Sequence, residues 1–397
     1  MLFSPKPFRQ LLPLLMGGTL LAACQSDPPT TEREAVNKEA VVKTDADTAK
    51  TAAEPADTMG LPAGSVPTIG SPKLLFTLDD AHNTPDGLAL APNGHLILSV
   101  PNLADNSQPA SLMEIDGNTL KPYATNLPVE PTTQKAAPMD LAFGPDGNLY
   151  YAENQYENSK DFKSRLMRVE VKNGKPGAIT TVADGFALAN AVLWKGNTLY
   201  VTDSQWDLPD NDKGSAILKF SLAELGKGTV HLKPKTKDPH VLAMFSTTVN
   251  ETGVDNGADG LDYDSQGNLY TGSFGDGKLY RVSLKPDGSL AKQETLTLSG
   301  KQIPCVDGLI IDRATDKIYL CNSRENAIEV VDLRNGNKVT TLAQNPDTDG
   351  AGGKLDQPAE VLLKGKRLYI SDFDHPVKHF ANTKSDAPHT MSVIDLP

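Results

Sequence analysis

The stretch Asp140–Tyr151, DLAFGPDGNLYY, places an acidic residue before a short apolar run, turns through Pro-Asp-Gly-Asn and returns as a second apolar run. Two such runs around a Gly-Asn turn read as a β-hairpin. The pattern recurs in both directions along the chain. It appears as DGLALAPNGHLILS from Asp86, NAVLWKGNTLYV from Asn190, DGLDYDSQGNLY from Asp259, DGLIIDRATDKIY from Asp307 and EVLLKGKRLYI from Glu360. The six starting residues are spaced by 54, 50, 69, 48 and 53 positions. Self-similarity on this scale marks a repeat architecture, in which each unit buries its apolar faces against its neighbours.

Each hairpin is followed by further strand-like segments, such as RLMRVEV (165–171) with AITTV (178–182), and KLYRVSL (278–284) with ETLTL (294–298). Four short antiparallel strands per repeat, stacked around an axis, make a propeller blade. The last copy is followed by a single strand, TMSVIDL (390–396), and KLLFTL (73–78) supplies the missing outer one. The predicted fold is therefore an all-β, six-bladed β-propeller over residues 69–397. Its N- and C-terminal strands share the last blade, which closes the ring and leaves no open edge. The longest interval carries a Lys- and Pro-rich insertion around Gly226 to Asp255, expected as a long loop overhanging one face.

The remaining residues read differently. Lys6 and Arg9 precede an apolar stretch from Leu11 to Leu21, which ends in Leu-Ala-Ala before Cys24. Residues 1–23 have the layout of a signal peptide, and the apolar stretch within it is too short to span a bilayer. The Leu-Ala-Ala-Cys sequence resembles a lipobox, which implies lipidation at Cys24, with Gln25 following the outer-membrane sorting pattern. Residues 24–68 lack aromatic residues and apolar periodicity and are expected to form a disordered tether. The expected location is the cell envelope, at the outer membrane facing the periplasm, with membrane contact through the lipid alone. Cys305 and Cys321 are open to either a disulfide or two buried thiols. A net charge of −12 argues against a nucleic-acid partner and suits a metal cation or a neutral substrate, and a monomer is expected.

The residue leading each hairpin is Asp86, Asp140, Asn190, Asp259, Asp307 or Glu360, and the repeat predicts all six around one mouth of the channel. Asp and Asn also favour turns. The oxygen-bearing side chain nevertheless persists where the following Gly becomes Leu141, Ala191 or Val361. Five carboxylates and an amide brought together repel unless neutralised, and an all-oxygen set points to Ca²⁺, with Mg²⁺ or another divalent ion as alternatives. Not all six fit one ion, so Asp140, Asp307 and Glu360 are assigned an outer or substrate-facing role. The antiparallel second strand returns to the same face, which predicts Asn102, Asn154, Asp203, Phe274, Asn322, Asp372 and His375 as pocket residues. For each of them a plain surface turn is an equally good reading. His375 stands out as a histidine able to move a proton near neutral pH. No nucleophile elbow, phosphate loop or dinucleotide fingerprint is present.

These residues resemble the SMP-30/gluconolactonase/luciferin-regenerating enzyme superfamily from about residue 73 onward. The resemblance implies metal ligands at Asp86, Asn190 and Asp259, with Asp259 also catalytic. It implies a calcium-dependent hydrolase of lactones or related esters acting on a small molecule. Asp86 is one methylene shorter than the family's Glu, Ala191 replaces a Gly, and Met139 stands where many relatives have a second Asn. The Pro-Asp-Gly-Asn-Leu-Tyr form also resembles NHL propellers, which implies the alternative of a non-enzymatic platform binding a protein, glycan or small ligand around a structural ion.

Overall fold

The computed structural model describes residues 67–397; the expected signal peptide, Cys24 and nearly all of the expected tether lie outside the described residues. The described chain forms six antiparallel sheets, one per repeat. Blade I consists of Leu88–Leu90, Leu96–Val100, Ser111–Asp116 and Thr119–Ala124. Blade II consists of Pro138–Phe143, Leu149–Glu153, Ser164–Lys172 and Lys175–Phe186, and blade III of Ala189–Lys195, Thr198–Asp203, Gly214–Ser221 and Val241–Ser246. Ala258–Tyr263, Leu269–Ser273, Leu279–Leu284 and Leu290–Thr295 make blade IV. Leu309–Asp312, Lys317–Asn322, Ala327–Asp332 and Lys338–Gln344 make blade V. In blade VI, Pro358–Lys364, Arg367–Asp372 and His389–Asp395 are completed by Lys73–Leu78, which pairs antiparallel with His389–Asp395.

The apolar runs of the second strands explain why this arrangement is stable. Side chains on a strand alternate between faces, and here both faces are covered by neighbouring blades. Leu149 and Tyr151 pack toward blade I with Ile97 and Leu112, whereas Tyr150 between them packs toward blade III with Val192 and Leu199. Every blade-to-blade junction has its own buried cluster, including the closing junction of Leu88 and Leu96 with Leu362 and Met391. Full burial of one such side chain contributes roughly 1.5–3 kcal/mol, so the sum around the ring favours closure.

Two expectations need correction, and one left open is decided. The insertion is not one long loop: Val241–Ser246 is the outer strand of blade III, and Val230–His231 joins blade II in parallel beside Ala183 and Asp184. The outer strand of blade IV is Leu290–Thr295, earlier in the chain than the segment 294–298. Cys305 and Cys321 are both buried free thiols.

Candidate functional site

The inner strands all start on one side of the ring and run through it. At their starts lies a cavity of about 120 Å³ whose lining includes Asp86 of blade I, Asn190 of blade III, Asp259 of blade IV and Asp307 leading into blade V. Asn154, Phe274 and His375 stand on its wall, as the return of the second strands requires.

Asp86 and Asp259 are buried, and Asn190 and Asp307 partly so. Asn190 Nδ2 donates to Asp259 Oδ1 at 2.7 Å, joining blades III and IV at the cavity floor. Asp307 Oδ2 accepts from the Ser323 hydroxyl at 2.8 Å. Asp86 Oδ2 is buried with no hydrogen-bond partner, an expensive state for a carboxylate oxygen. Burial drives the proton affinity of Asp86 well up, and Asp307 and Asp140 add to it. Burial likewise raises Asp259, reinforced by Asp307, Asp86 and Asp140 and opposed by the Asn190 amide. Burial pushes Asp307 up to about 7. A floor of oxygen donors that resist bearing bare negative charge fits a bound hard cation.

The expectation of all six leading residues at one mouth fails for two of them. Asp140 and Glu360 line a separate cavity of about 430 Å³ deeper in the channel, walled by the inner strands of all six blades. Their carboxyls are turned along the strands to cap amides. Asp140 Oδ1 accepts from Leu141 N at 2.7 Å and Oδ2 from Val192 N at 2.8 Å, while Glu360 Oε1 accepts from Val361 N at 2.7 Å. Burial raises Asp140 to about 7 and carries Glu360 well above its ordinary range, with Asp140 the main neighbour acting on Glu360.

Four of the predicted pocket residues also turn away from the cavity. Asn102 donates to the carbonyls of Ala81 and Pro109, both at 2.9 Å. Asp203 accepts from the amides of Ala187, Leu188 and Gln205. Asn322 donates to Glu325, and Asp372 accepts from Asp356 N, Thr390 and Ser392. Each lies at the end of a second strand, but local amides and hydroxyls hold the two aspartates, and carbonyls and carboxylates hold the Nδ2 groups of the two asparagines, whose Oδ1 atoms stay buried without a partner. The wall is instead filled by residues the strand pattern did not mark, including Asn256, Gln357, Glu157 and Phe373. A signal for two of them was present: Asn256 and Gln357 each stand three residues before a leading acid, at equivalent points of the loops that feed blades IV and VI.

No curated protein matches this sequence. Among solved structures, a luciferin-regenerating enzyme shares the fold at 11% identity, covering 82% of this chain and 95% of its own, with a TM-score of 0.55. The PQQ-bound aldose sugar dehydrogenase of Streptomyces coelicolor shares it at 16% identity, covering 83% and 99%, with a TM-score of 0.52. A structure described as a candidate gluconolactonase does so at 15% identity, covering 85% and 94%, with a TM-score of 0.50. Likeness at this level shows the fold, and the differing activities of these proteins show that the fold does not choose between them. Across residues 102–293, from the end of blade I's second strand to the outer strand of blade IV, the chain matches the family described as SMP-30/Gluconolactonase/LRE-like region.

Proposed function

We propose that this chain is a divalent-cation-dependent hydrolase of lactones or related esters, with calcium as the ion and Asp86, Asn190 and Asp259 as its ligands. The observation that carries the reading is the convergence of these three side chains from blades I, III and IV on one cavity, with a buried carboxylate oxygen of Asp86 left unpartnered. The family match over 102–293 includes Asn190 and Asp259 and supports the same chemistry. A hard cation bound there supplies Lewis-acid polarisation of an ester carbonyl.

The protein's own groups do the rest. Asn190 fixes the Asp259 carboxyl through Oδ1, and the other oxygen, with no hydrogen bond among the described residues, is the one that takes a proton from water or meets the substrate. His375 stands on the wall with Nδ1 unpartnered, and burial lowers its proton affinity, so it is neutral at pH 7 and able to accept a proton. Phe274 and Phe373 give the wall apolar surface. A cavity of about 120 Å³ is well below the ~300–1,000 Å³ of drug-sized pockets, so it takes a small ring or the reacting end of a longer ester.

The test is turnover of a panel of aryl esters and lactones by chelator-stripped protein, with and without calcium, for the parent, Asp259→Asn and Asn190→Ala. Calcium-dependent turnover lost in both variants supports the reading. Turnover indifferent to chelator and to both substitutions overturns it, and absence of turnover with a tightly held ion favours the binding platform. We further propose, on the sequence pattern alone, that the domain works tethered through a lipidated Cys24 at the outer membrane; Cys24→Ser then moves it from the membrane to the soluble fraction.

A further inference from the structure

The ring carboxylates are not the most tightly gathered acids in the molecule. Among the described residues, that position belongs to Asp356, Asp374 and Asp386, which each bring a carboxylate oxygen within 4.8 Å of the others. They come from three separate segments of blade VI: the loop before the inner strand, the loop after the second strand, and the segment leading into His389–Asp395. Two oxygens that each lie ~2.3–2.6 Å from one calcium ion are at most about 5 Å apart, so this spacing suits a shared ion.

Two further observations point to a ligand. Asp356 is 1% exposed and its Oδ1 has no hydrogen-bond partner. His389, 8% exposed, also has an unpartnered Nδ1, and this atom is directed at the cluster, 3.4 Å from Asp374 Oδ2. Asp386 Oδ1 is a third unpartnered atom. Asp374 is better satisfied: Oδ1 accepts from Asn382 Nδ2 at 2.9 Å and Oδ2 from Asp386 N at 3.0 Å. The positive side chain paired with the trio, Lys384, contacts Asp386 from the exposed side, and Asp372 and Asp347 add negative potential at Asp356. Three acids with three orphaned buried polar atoms around them describe a cation site more economically than a self-contained hydrogen-bond network.

We propose that Asp356, Asp374 and Asp386 form a second divalent-cation site, of the oxygen-ligated calcium class, that clamps the rim of the central cavity to blade VI. The ligands flank the residues that line that rim: Gln357 follows Asp356, and Phe373 and His375 bracket Asp374. Gln357 Oε1 already accepts from His375 N at 2.8 Å and from Asn382 Nδ2 at 3.3 Å. An ion bridging the three segments therefore holds His375 and Gln357 in register with the cavity. The site is separate from the ring of leading residues and stands whether or not the ring holds an ion.

The experiment is calcium binding to the chelator-stripped full chain by equilibrium dialysis, coupled to amide hydrogen exchange, for the parent, Asp356→Asn, Asp386→Asn and Asp259→Asn. The expected result is loss of one bound calcium in both Asp356→Asn and Asp386→Asn, while Asp259→Asn retains that equivalent. Calcium is expected to slow exchange across 354–357 and 373–388 in the parent and in Asp259→Asn but not in Asp386→Asn. Because Asp386 is only partly buried, its variant keeps the test open should Asp356→Asn not fold. Unchanged stoichiometry in Asp386→Asn, or exchange in these segments insensitive to calcium in the parent, overturns the proposal. Loss of calcium in Asp259→Asn alone leaves the central reading intact and removes only this one.

Discussion

Blades I, IV and V differ from blades II and VI in the residue after the leading acid, and the difference coincides with where the acid goes. In the first group that residue is Gly87, Gly260 or Gly308, and Asp86, Asp259 and Asp307 reach the small upper cavity. In the second it is Leu141 or Val361, and Asp140 and Glu360 face the deeper channel. The glycines are not there for turn geometry. A Cβ on Gly87 would stand 2.5 Å from Asp140 Cα, one on Gly260 2.5 Å from Asp307 O, and one on Gly308 2.5 Å from the Glu360 carboxyl carbon. Each allows one inner strand to press against the leading residue of the next blade. The repeat thus places an oxygen-bearing side chain at the start of every inner strand, and for the acids the close approach permitted by glycine accompanies presentation at the upper face, which Asn190 reaches with Ala191 behind it.

The sharpest way to break this comparison is to neutralise one acid from each group. Asp259→Asn is expected to lower kcat by about 10²–10⁴-fold, the range for a positioned acid–base group, while Asp140→Asn leaves turnover at the parent level. Equal losses in both would mean that the two cavities act as one. Next in size is the glycine itself. Gly308→Ala forces a methyl group onto the Glu360 carboxyl and is expected to cost about 1–3 kcal/mol, read as a lower denaturation midpoint at unchanged m-value.

A smaller effect follows from the buried acids. Asp140 and Asp307 are raised from an ordinary 3.8 to about 7, chiefly by burial. Both bind protons more tightly folded than unfolded, so their contribution to stability is full below pH 3.8 and is lost as pH rises through about 7. Metal-free protein is expected to melt at a lower temperature at pH 8 than at pH 5. Calcium should narrow the gap through the upper group, and Asp140→Asn should shrink it without any ion. A melting temperature that rises over this window without metal would contradict the electrostatics described for the ring. The smallest effect expected is at His375, whose proton affinity is lowered by burial. His375→Gln should remove an acid limb below about pH 6.5 from the kcat/KM profile while leaving calcium binding unchanged.

The fold was legible in the sequence because a propeller repeats its instructions. The hairpin from Asp140 would be ambiguous alone, but six copies at similar spacing, with a spare strand at 73–78 to complete the last, admit few other closures. The site was legible in part. Asp86, Asn190, Asp259 and Asp307 were placed by period alone, and Asn154, Phe274 and His375 by the antiparallel return. Asn102, Asp203, Asn322 and Asp372 share that return but are held by local amides, carbonyls and side chains within the blade, a competition that spacing does not reveal. The glycine difference was in plain sight, yet it reads as a turn preference until the neighbouring blade is seen. The Asp356, Asp374 and Asp386 cluster was hidden more deeply, since its members come from unlike loops that no repeat aligns.

The central claim is that Asp86, Asn190 and Asp259 together hold one hard cation, and calcium titration of the chelator-stripped chain carrying Asp356→Asn and Asp386→Asn tests it most directly. With the blade VI acids neutralised, one equivalent of calcium is predicted to bind, and to be lost on adding either Asp86→Ala or Asn190→Ala. A titration that shows no binding to that background, or binding that survives both further substitutions, would contradict the account.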